Sequence, residues 1–507
     1  MAVATPRLPL LAALLAPAVL AVACRPAEAL IRWPVPAPPP LSAQQPLLWV
    51  ALAAHLGAQP LSLDSAGGAL ELLESSGKRY RAPLLELRWR TEALPQPVLL
   101  RRSVLGPFPS FESAEQVALA WSRPGREVVV AHPGEWEVWA EPGLAPPPGQ
   151  VPRSQQQVLR GRLVPELRDA GGWRRLEGPL RINAPDGLRW QGAVFRGPFR
   201  LQADAYGSWS LVEQVPLERY LEGVVPHEIG AQAPAAALAA QAVLARTWAL
   251  RNQQRFAVDG YHLCADTQCQ VYGDPRQASA AVRAAIATSR GRVLSWRRQP
   301  IHAVYHASNG GVVAAYPEAW AGPPLPYLRP GLDGPPALAA ALPLPLASEA
   351  QLRLLLARGG SAYGAGHPLF RWTRQLDRNQ IELALASAGG GVGALREVSV
   401  LERGPSGRVL RLALRGSGGE RVLERDAIRR TLRTLPSTLF VITKPQPGLW
   451  RLQGGGFGHG AGLSQAGALD LAARGWTLER ILSHYYPGTS LVPLEALAPA
   501  EPAGSGL

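Results

Sequence analysis

The chain has 507 residues, of which 47% are hydrophobic and 18% charged, and this balance excludes a wholly disordered chain. Lys and Arg number 52 against 38 Asp and Glu, giving a formal net charge of +14, and nearly all the positive charge is arginine. The excess fits either a coding sequence rich in G and C or a partner of regular negative charge, such as nucleic acid or an acidic polysaccharide. Because the sequence contains no basic run or nucleic-acid motif, we expect no nucleic-acid partner.

Residues 1–29 have the layout of a secretory signal. Arg7 precedes the apolar run 8–23, and small residues of the A-x-A type follow up to Ala29. A membrane anchor is an alternative, but the run is short for a span of about 20 residues. A lipid anchor on Cys24 is another, but Leu20 lies one place too far back for a good lipobox. We therefore expect export to the periplasm or cell envelope, with membrane contact only through this segment if it is uncleaved.

The next part of the chain is predicted to form a spacer and a small region. Residues 30–45 contain PVPAPPP and are predicted to be a stiff Pro-rich spacer. Residues 46–143 alternate short apolar and charged runs and are predicted to form a small α/β region. Within it, residues 104–117 resemble the strand-to-helix opening of a SPOR-type glycan-binding repeat. Three prolines at 146–148 mark a linker over 144–157.

Residues 158–492 are predicted to form the main domain. Short strands with turn signals come first, and an Ala-rich helix from Pro234 to Arg251 follows them. An inserted or diverged stretch is expected near 330–395, and residues 493–507 are expected to be a disordered tail. The order of strands and helices indicates an α+β fold.

One carboxyl lies in unusual surroundings. Glu228 follows Val224, Val225 and Pro226, and Ile229 follows it. Apolar neighbours would raise its pKa, as a general acid requires. Two alternatives stay open: Pro226 could begin a helical turn whose positive end would lower the pKa, or Glu228 could be a solvated residue at a helix terminus.

Four segments contain residues that point to chemistry. They are VVPHEI with AAQAVLARTWAL (224–250), DTQCQVYGD (266–274), AVYHASNGG with EAW and PYL (303–328), and GHGAGLSQAGAL with ILSHYYPGT (458–489). In this order they resemble the SpoIID/LytB family, the stage II sporulation protein D and amidase-enhancer proteins. The resemblance covers residues 180–491 outside the diverged stretch, within which WTR (372–374) also matches.

The resemblance implies activity on bacterial peptidoglycan. It implies a lytic transglycosylase that cuts peptide-stripped glycan strands and leaves 1,6-anhydro-muramic ends, with Glu228 as the catalytic residue and no required cofactor. A strand-rich lobe and a helical lobe would then form a glycan-binding groove. Glycines that allow close approach, together with aromatic and polar side chains, make up the predicted substrate-binding set. That set is Tyr305, His306, Ser308, Gly310, Gly311, Trp320, Gly458, His459, Gly460, Ser464, Gln465 and Tyr485.

The last two cysteines leave three alternatives open. Cys264 and Cys269 would form a disulfide in an oxidising compartment, they would hold a structural zinc together with His262, or they would remain free thiols. The family often has a His immediately before the second cysteine, where this chain has Gln268, so the usual ligand set is incomplete.

A second functional class remains open. A non-catalytic glycan-binding protein that enhances an N-acetylmuramoyl-L-alanine amidase would keep the glycine loop and the aromatic residues, but it would not need Glu228. A papain-like hydrolase using Cys264 is disfavoured, because the nearby Cys269 invites oxidation. Only the reaction itself separates the first two classes.

Overall fold

The computed structural model describes residues 30–498, which contain both helices and many strands, so the predicted α+β class is confirmed. The signal sequence predicted over 1–29 lies outside these residues. The helices are α1 Phe111–Trp121, α2 Leu217–Ile229, α3 Ala235–Arg251, α4 Ala280–Thr288, α5 Tyr316–Ala319, α6 Pro336–Ala341, α7 Glu349–Arg358, α8 Arg378–Ser387, α9 Asp426–Thr431, α10 Gln465–Ala473 and α11 Leu478–Tyr485. Short 3-10 helices lie at Ala257–Asp259, Pro275–Gln277, Gly359–Ser361 and Leu494–Ala496.

The strands are mostly short, except for two long ones in the first third of the chain. They are β1 Leu47–Leu56, β2 Leu61–Ser65, β3 Leu70–Leu73, β4 Arg79–Ala82, β5 Leu84–Phe108, β6 Val128–Ala131, β7 Trp136–Ala140, β8 Arg153–Asp169, β9 Gly172–Arg175, β10 Leu180–Asn183, β11 Leu188–Trp190, β12 Ala193–Phe195, β13 Phe199–Ala203, β14 Trp209–Pro216, β15 Leu263–Cys264, β16 Arg292–Trp296, β17 Gln299–Pro300, β18 Tyr305–His306, β19 Val312–Val313, β20 Gly331–Leu332, β21 Trp372–Asp377, β22 Leu395–Arg403, β23 Val409–Gly416, β24 Gly419–Glu424, β25 Phe440–Gln446, β26 Leu449–Gly454, β27 Leu463–Ser464 and β28 Ser490–Pro493.

Two large sheets include strands from both sides of the predicted linker. The seven-stranded sheet has the order β15-β1-β14-β13-β10-β3-β4, and the eight-stranded sheet includes β12-β11-β2-β5-β7-β6, with β8 paired to β5 and to β9. Strand β8 begins at Arg153, inside the predicted linker. Because β1 pairs with β14 and β5 with β8, residues 46–143 share both sheets with the segment that follows.

The Pro-rich segment lies against the sheets. The N–H of Leu30 donates to the Leu99 carbonyl at 3.0 Å, and the N–H of Arg101 donates back to the Leu30 carbonyl at 2.8 Å. Trp33 N–H donates to the Ala205 carbonyl at 3.3 Å. Residues 30–45 are therefore part of the folded body, although composition alone predicts a spacer.

Helix α3 is the centre of the helical layer. Fourteen of its 17 residues are buried, because α2, α4, α10 and α11 pack around it. Small alanine side chains allow this close approach from several sides. The layer fixes the end of α2, which carries Glu228, against the start of α10.

The predicted insertion near 330–395 and the strands that follow it have hydrophobic cores of their own. Helices α6 and α7 pack with residues such as Val312 and Phe370. A separate apolar cluster includes Trp372, Leu412 and Trp450 from the sheets β21-β26-β25 and β22-β23-β24. The additional structure thus continues past residue 395, to the strand that ends at Gly454.

Regular structure near the carboxyl terminus continues further along the chain than the sequence predicts. Strand β28 pairs with β16, and a 3-10 helix follows it at Leu494–Ala496. The ordered chain therefore continues past 493, the predicted start of a disordered tail. Between residues 30 and 498, the helices are all too short or too polar to cross a bilayer.

Asp426, the first residue of α9, gives a prediction for the pH dependence of stability. Burial raises its pKa to about 6, and its Oδ2 atom is shielded from water without a donor among residues 30–498. The folded state therefore holds this proton more tightly than the unfolded state, so the free energy of unfolding should fall by about 2 kcal/mol as pH rises from about 4 to about 6.

The Asp426→Asn variant should lack this part of the pH slope, and the difference from wild type should grow between pH 4 and pH 7 in urea unfolding curves. Asp186 is exposed and serves as a control, because Asp186→Asn should leave the slope as in wild type. A slope unchanged by Asp426→Asn would contradict the assignment.

Candidate functional site

Glu228 lies in the last turn of α2, directly before Ile229 and the C-cap residue Gly230. Val224 and Val225 are fully buried in the same helix. Pro226 lies inside α2 and does not begin a new turn, so the alternative of a positive helix end at Glu228 is wrong. The carboxyl instead lies at the negative end of the helix, which disfavours its charged form.

Burial raises the pKa of Glu228, and hydrogen bonds partly oppose this shift. The N–H of Val271 donates to Glu228 Oε1 at 2.9 Å. The side chains of Tyr305 and Gln465 lie next to the carboxyl and also lower its pKa. These contacts hold the carboxyl in one place while burial favours its protonated form.

Glu228 lines a cavity of about 770 Å³. The end of α2 forms one wall, the first turns of α10 form a second, and the loop 360–367 forms a third. The side chains that line it include Ile229, Ala307, Gln465, Asp470 and Arg474. This volume is in the range of small-molecule and cofactor sites, and the glutamate is accessible from it.

Only one member of the predicted substrate-binding set, Gln465, lines this cavity. Tyr305 lies behind Glu228, where its hydroxyl accepts a hydrogen bond from Gln270 Nε2 at 2.9 Å. Gln270 Oε1 in turn accepts from the Tyr220 hydroxyl at 3.2 Å. Tyr305 and Gln270 thus belong to a buried polar chain that ends at the carboxyl.

The predicted glycines hold two crossing loops together. Gly310 has a φ of 72°, and a Cβ there would lie 2.7 Å from the backbone of Gly455. Ser308 and Phe457 exchange backbone hydrogen bonds at 3.1 and 2.7 Å. A Cβ at Gly458 or Gly460 would also collide with neighbouring atoms, and a Cβ at Gly311 would lie 3.1 Å from its nearest neighbour. Close packing within the protein therefore accounts for these glycines without a ligand.

The predicted aromatic and histidine residues lie together next to this crossing. The ring of His459 lies 5.0 Å from that of His306 and 4.7 Å from that of Trp320. Burial lowers the pKa of His459 to about 3, so its imidazole is neutral at physiological pH. Its Nε2 atom lies 3.0 Å from the Tyr305 carbonyl oxygen, which connects the cluster to the polar chain behind Glu228.

Ser464 and Tyr485 have structural contacts. The Ser464 hydroxyl caps α10 by accepting from the N–H of Gly467 at 3.2 Å. The Tyr485 hydroxyl donates to the buried Asp333 at 3.0 Å, and His484 Nε2 lies 2.8 Å from the same carboxylate. Neither Ser464 nor Tyr485 is among the residues that line the cavity.

Comparison with known proteins links these elements to a family. The Stage II sporulation protein family model matches residues 205–296, which include Glu228, Val271 and all of α3. Residues 205–296 are therefore similar to the Stage II sporulation protein family. The resemblance of the four sequence segments to the SpoIID family is thereby confirmed.

Proteins of similar sequence include two from Bacillus subtilis. The chain is 27% identical over 305 residues to Stage II sporulation protein D of Bacillus subtilis, covering 56% of this chain and 77% of that protein. It is 27% identical over 298 residues to an amidase enhancer of Bacillus subtilis, covering 54% of this chain but 40% of that protein. It is also 26% identical over 344 residues to an uncharacterized protein of Brachyspira hyodysenteriae, covering 66% of this chain and 81% of that protein.

A second family model, described as a domain of unknown function (DUF8618), matches residues 314–462. It includes the loop 360–367, so the third wall of the cavity comes from outside the segment matched by the SpoIID model. Sequence reasoning missed this wall because the loop lies in the stretch that diverges from the family pattern. It also missed Asp470 and Arg474, which follow the GHGAGLSQAGAL motif in the chain but lie outside it. Val271 lies within the DTQCQVYGD motif, but it contacts Glu228 through its backbone N–H, and the identity of a side chain does not reveal such a contact.

The cysteine pair is a disulfide in the structure of this SpoIID-type domain. Cys264 and Cys269 are bonded, with Cα atoms 5.7 Å apart. His262 Nδ1 accepts from the N–H of Trp49 at 2.9 Å, and its Nε2 lies 2.9 Å from the Pro39 carbonyl oxygen. A zinc site would need both thiolates and a free imidazole nitrogen, so these three residues do not fit that alternative.

Gly364 positions the third wall, and its replacement tests that wall. Its φ is 73°, its N–H donates to Asp470 Oδ2 at 3.0 Å, and a Cβ would lie 2.6 Å from the backbone of Ala466. Gly364→Ala should therefore displace the loop from α10 and lower stability by about 1–3 kcal/mol.

The displaced wall should also weaken ligand binding in the cavity, measured as a higher KM or Kd for glycan oligosaccharides. Gly366 lies in the same loop, is exposed, and has open space around an added Cβ. Gly366→Ala is the matched control for stability and should leave the free energy of unfolding near wild type. Equal behaviour of the two variants would show that Gly364 does not hold the wall.

Proposed function

We propose that this protein cleaves peptide-stripped peptidoglycan glycan strands as a lytic transglycosylase, with Glu228 as the acid and base. The observation that supports this most strongly is the carboxyl itself. It lines a cavity, burial raises its pKa, and it lies at the negative end of α2. A carboxyl that stays protonated next to a ligand cavity is what protonation of a glycosidic oxygen requires.

The proposed reaction needs one carboxyl and no water. Glu228 donates its proton to the oxygen that leaves the muramic C1 atom, and the C1–O bond breaks. The resulting carboxylate takes the proton of the C6 hydroxyl on the same sugar, and that oxygen bonds to C1. The products are a free hydroxyl on the leaving sugar and a 1,6-anhydro-muramic end, and Glu228 is again protonated.

The contacts around Glu228 suit both halves of this cycle. Burial favours the acid form before the bond breaks. The N–H of Val271 and the side chains of Tyr305 and Gln465 then stabilise the carboxylate form. These donors are already in place, so no rearrangement is needed when the charge develops.

The direct test is incubation of the protein with peptide-free glycan strands, followed by mass spectrometry of the products. We expect shorter strands that end in 1,6-anhydro-muramic acid. Hydrolysed, reducing ends would overturn the proposed chemistry, and uncut strands would overturn the enzymatic function.

The similarity to a protein named amidase enhancer supports a second candidate function. In that case the protein binds glycan strands and stimulates an N-acetylmuramoyl-L-alanine amidase. The test is the rate of peptide release from intact peptidoglycan by an amidase, with and without this protein. Stimulation that persists when no glycan cleavage occurs would favour the enhancer.

Both candidate functions place the protein outside the cytoplasm. We propose the periplasm or cell envelope as its location, on the basis of the signal-like sequence 1–29. Neither scheme requires a metal or another cofactor.

A further inference from the structure

A second cavity, of about 620 Å³, lies between the two large sheets. Residues of β1, β13 and β14 form one side, residues of β5 and β8 form the other, and residues 33–37 of the Pro-rich segment close part of it. It shares no lining residue with the cavity at Glu228. Its walls are mostly outside the part of the chain that the SpoIID model matches.

Three tryptophans line this cavity. Trp33 and Trp49 line it from the Pro-rich segment and from β1, and both are partly exposed. Trp209 also lines it but is buried, and its Nε1 donates to the Leu163 carbonyl at 3.0 Å. Flat aromatic faces offer apolar area for the ring of a sugar.

Arg200 gives this cavity a positive charge without a carboxylate partner. Its guanidinium carbon lies 4.6 Å from the centre of the Trp49 ring, and its Nε donates to Gln202 Oε1 at 3.1 Å. Burial and the neighbouring Arg181 lower its pKa, and no described acidic group contributes an opposing shift. Within residues 30–498, Nη1 and Nη2 have no hydrogen-bond acceptor, so both can bind an anion.

The other two arginines of the cavity are already neutralised. Arg175 lies between two carboxylates, with Nε 2.7 Å from Glu92 and Nη1 3.4 Å from Glu177, and Arg162 Nη2 lies 3.4 Å from Glu92. Selectivity for an anion therefore falls to Arg200. A planar guanidinium with two free nitrogens matches the geometry of a carboxylate.

We propose that this cavity binds a carboxylate-bearing sugar of a glycan strand, with Arg200 on the carboxylate and the tryptophans against the ring. The proposal rests on the proposed function for its ligand, because peptide-stripped glycan carries a lactyl carboxylate on every second sugar. The cavity then grips the strand at a place separate from Glu228.

The test is calorimetric titration of the full chain carrying Glu228→Gln, which prevents cleavage of the probe. The probe is a peptide-free tetrasaccharide with two muramic acid residues. We expect two probes to bind per chain, and adding Arg200→Gln should weaken one of the two sites about tenfold while leaving the other unchanged. Arg181 pairs in register with Arg200 on the next strand but does not line the cavity, so Arg181→Gln is the matched loss of charge and should change neither site.

Further probes identify the chemistry of the ligand. Chitotetraose has the same length as the muramic probe but no carboxylates, so it should not occupy the Arg200 site. If chitotetraose bound this site as tightly as the muramic probe, the role of the carboxylate would be overturned. A tetramer of galacturonic acid, if it bound this site more tightly than the muramic probe, would overturn peptidoglycan as the source.

One further outcome separates this proposal from the proposed function. If a single probe binds and Arg200→Gln leaves it unchanged, the second site does not exist, but binding at Glu228 survives. If the Arg200 variant does not fold, Trp33→Ala removes a partly exposed wall of the cavity and should weaken the same site. Unchanged binding in Trp33→Ala would then overturn the proposal.

Discussion

Replacement of Glu228 by Gln should lower the rate of glycan cleavage by at least about 10³-fold, because the proposed reaction has a single group that donates and accepts the proton. Glutamine has the same shape and keeps an oxygen for the N–H of Val271, which donates to Glu228 at 2.9 Å. The fold and glycan binding should therefore be retained. The measurement is the initial rate of anhydro-muramic product formation from peptide-free strands.

Glu222 provides a matched control for this variant. It lies in the same helix and is also partly exposed, but it is not among the residues that line the cavity. Glu222→Gln should cleave at the wild-type rate. If Glu228→Gln cleaved as fast as Glu222→Gln, another group would be the acid. If neither variant nor wild type cleaved and all three stimulated an amidase, the protein would be an enhancer.

The pH dependence of cleavage gives an independent view of the same carboxyl. Burial raises the pKa of Glu228, so the protonated form that acts as acid persists to a higher pH than an exposed glutamate would allow. We expect kcat/KM to fall as pH rises through this raised pKa, because the acid form is lost. If kcat/KM stayed constant over the pH range that contains the raised pKa of Glu228, this role would be contradicted.

The position of Glu228 shows how far local sequence determines the site. Apolar neighbours in the sequence predicted a raised pKa, and burial in the folded domain gives the same direction. The negative helix end at Gly230 also favours a raised pKa, although Pro226 suggested that Glu228 would lie at the positive end of a helical turn. Local sequence does not decide this point, because proline can lie inside a helix when the surrounding layer holds it.

The glycine and histidine segments illustrate a different limit. Residues predicted as ligand contacts, such as Gly310 and His459, pack two loops against each other. Glycine allows close approach of any atom, and only the folded chain determines whether that atom belongs to a ligand or to another loop. Gln465 is the member of this set that reaches the cavity, because it begins α10 directly opposite the end of α2.

Domain boundaries were the least accessible feature of the sequence. Strand β1 pairs with β14, about 160 residues later, and no local pattern predicts a partner at that distance. The prolines at 146–148 did mark an irregular connection, but β8 begins soon after it and returns along β5. The first region therefore shares the large sheets with the SpoIID-type domain. That arrangement also creates the cavity around Arg200.

Replacement of Glu218 by Ala should lower the free energy of unfolding by about 3–5 kcal/mol, because it leaves a buried charge without its partner. The side chain of Arg246, in the middle of α3, has an exposed fraction of 0%. Its Nε and Nη2 donate to the two carboxylate oxygens of Glu218 at 2.8 and 2.7 Å. Its Nη1 donates to the Arg292 carbonyl at 3.0 Å, so no other described carboxylate replaces the lost one.

Urea unfolding of three variants separates this ion pair from general effects of removing a glutamate. The exposed pair Glu349–Arg353 is the control, and Glu349→Ala should cost less than about 1 kcal/mol. The double variant Glu218→Leu/Arg246→Met should recover most of the stability lost in Glu218→Ala, because no charge then remains in the core. A cost in Glu218→Ala as small as in Glu349→Ala would mean that water reaches Arg246. The layer that holds α2 and Glu228 would then be more open than its packing indicates.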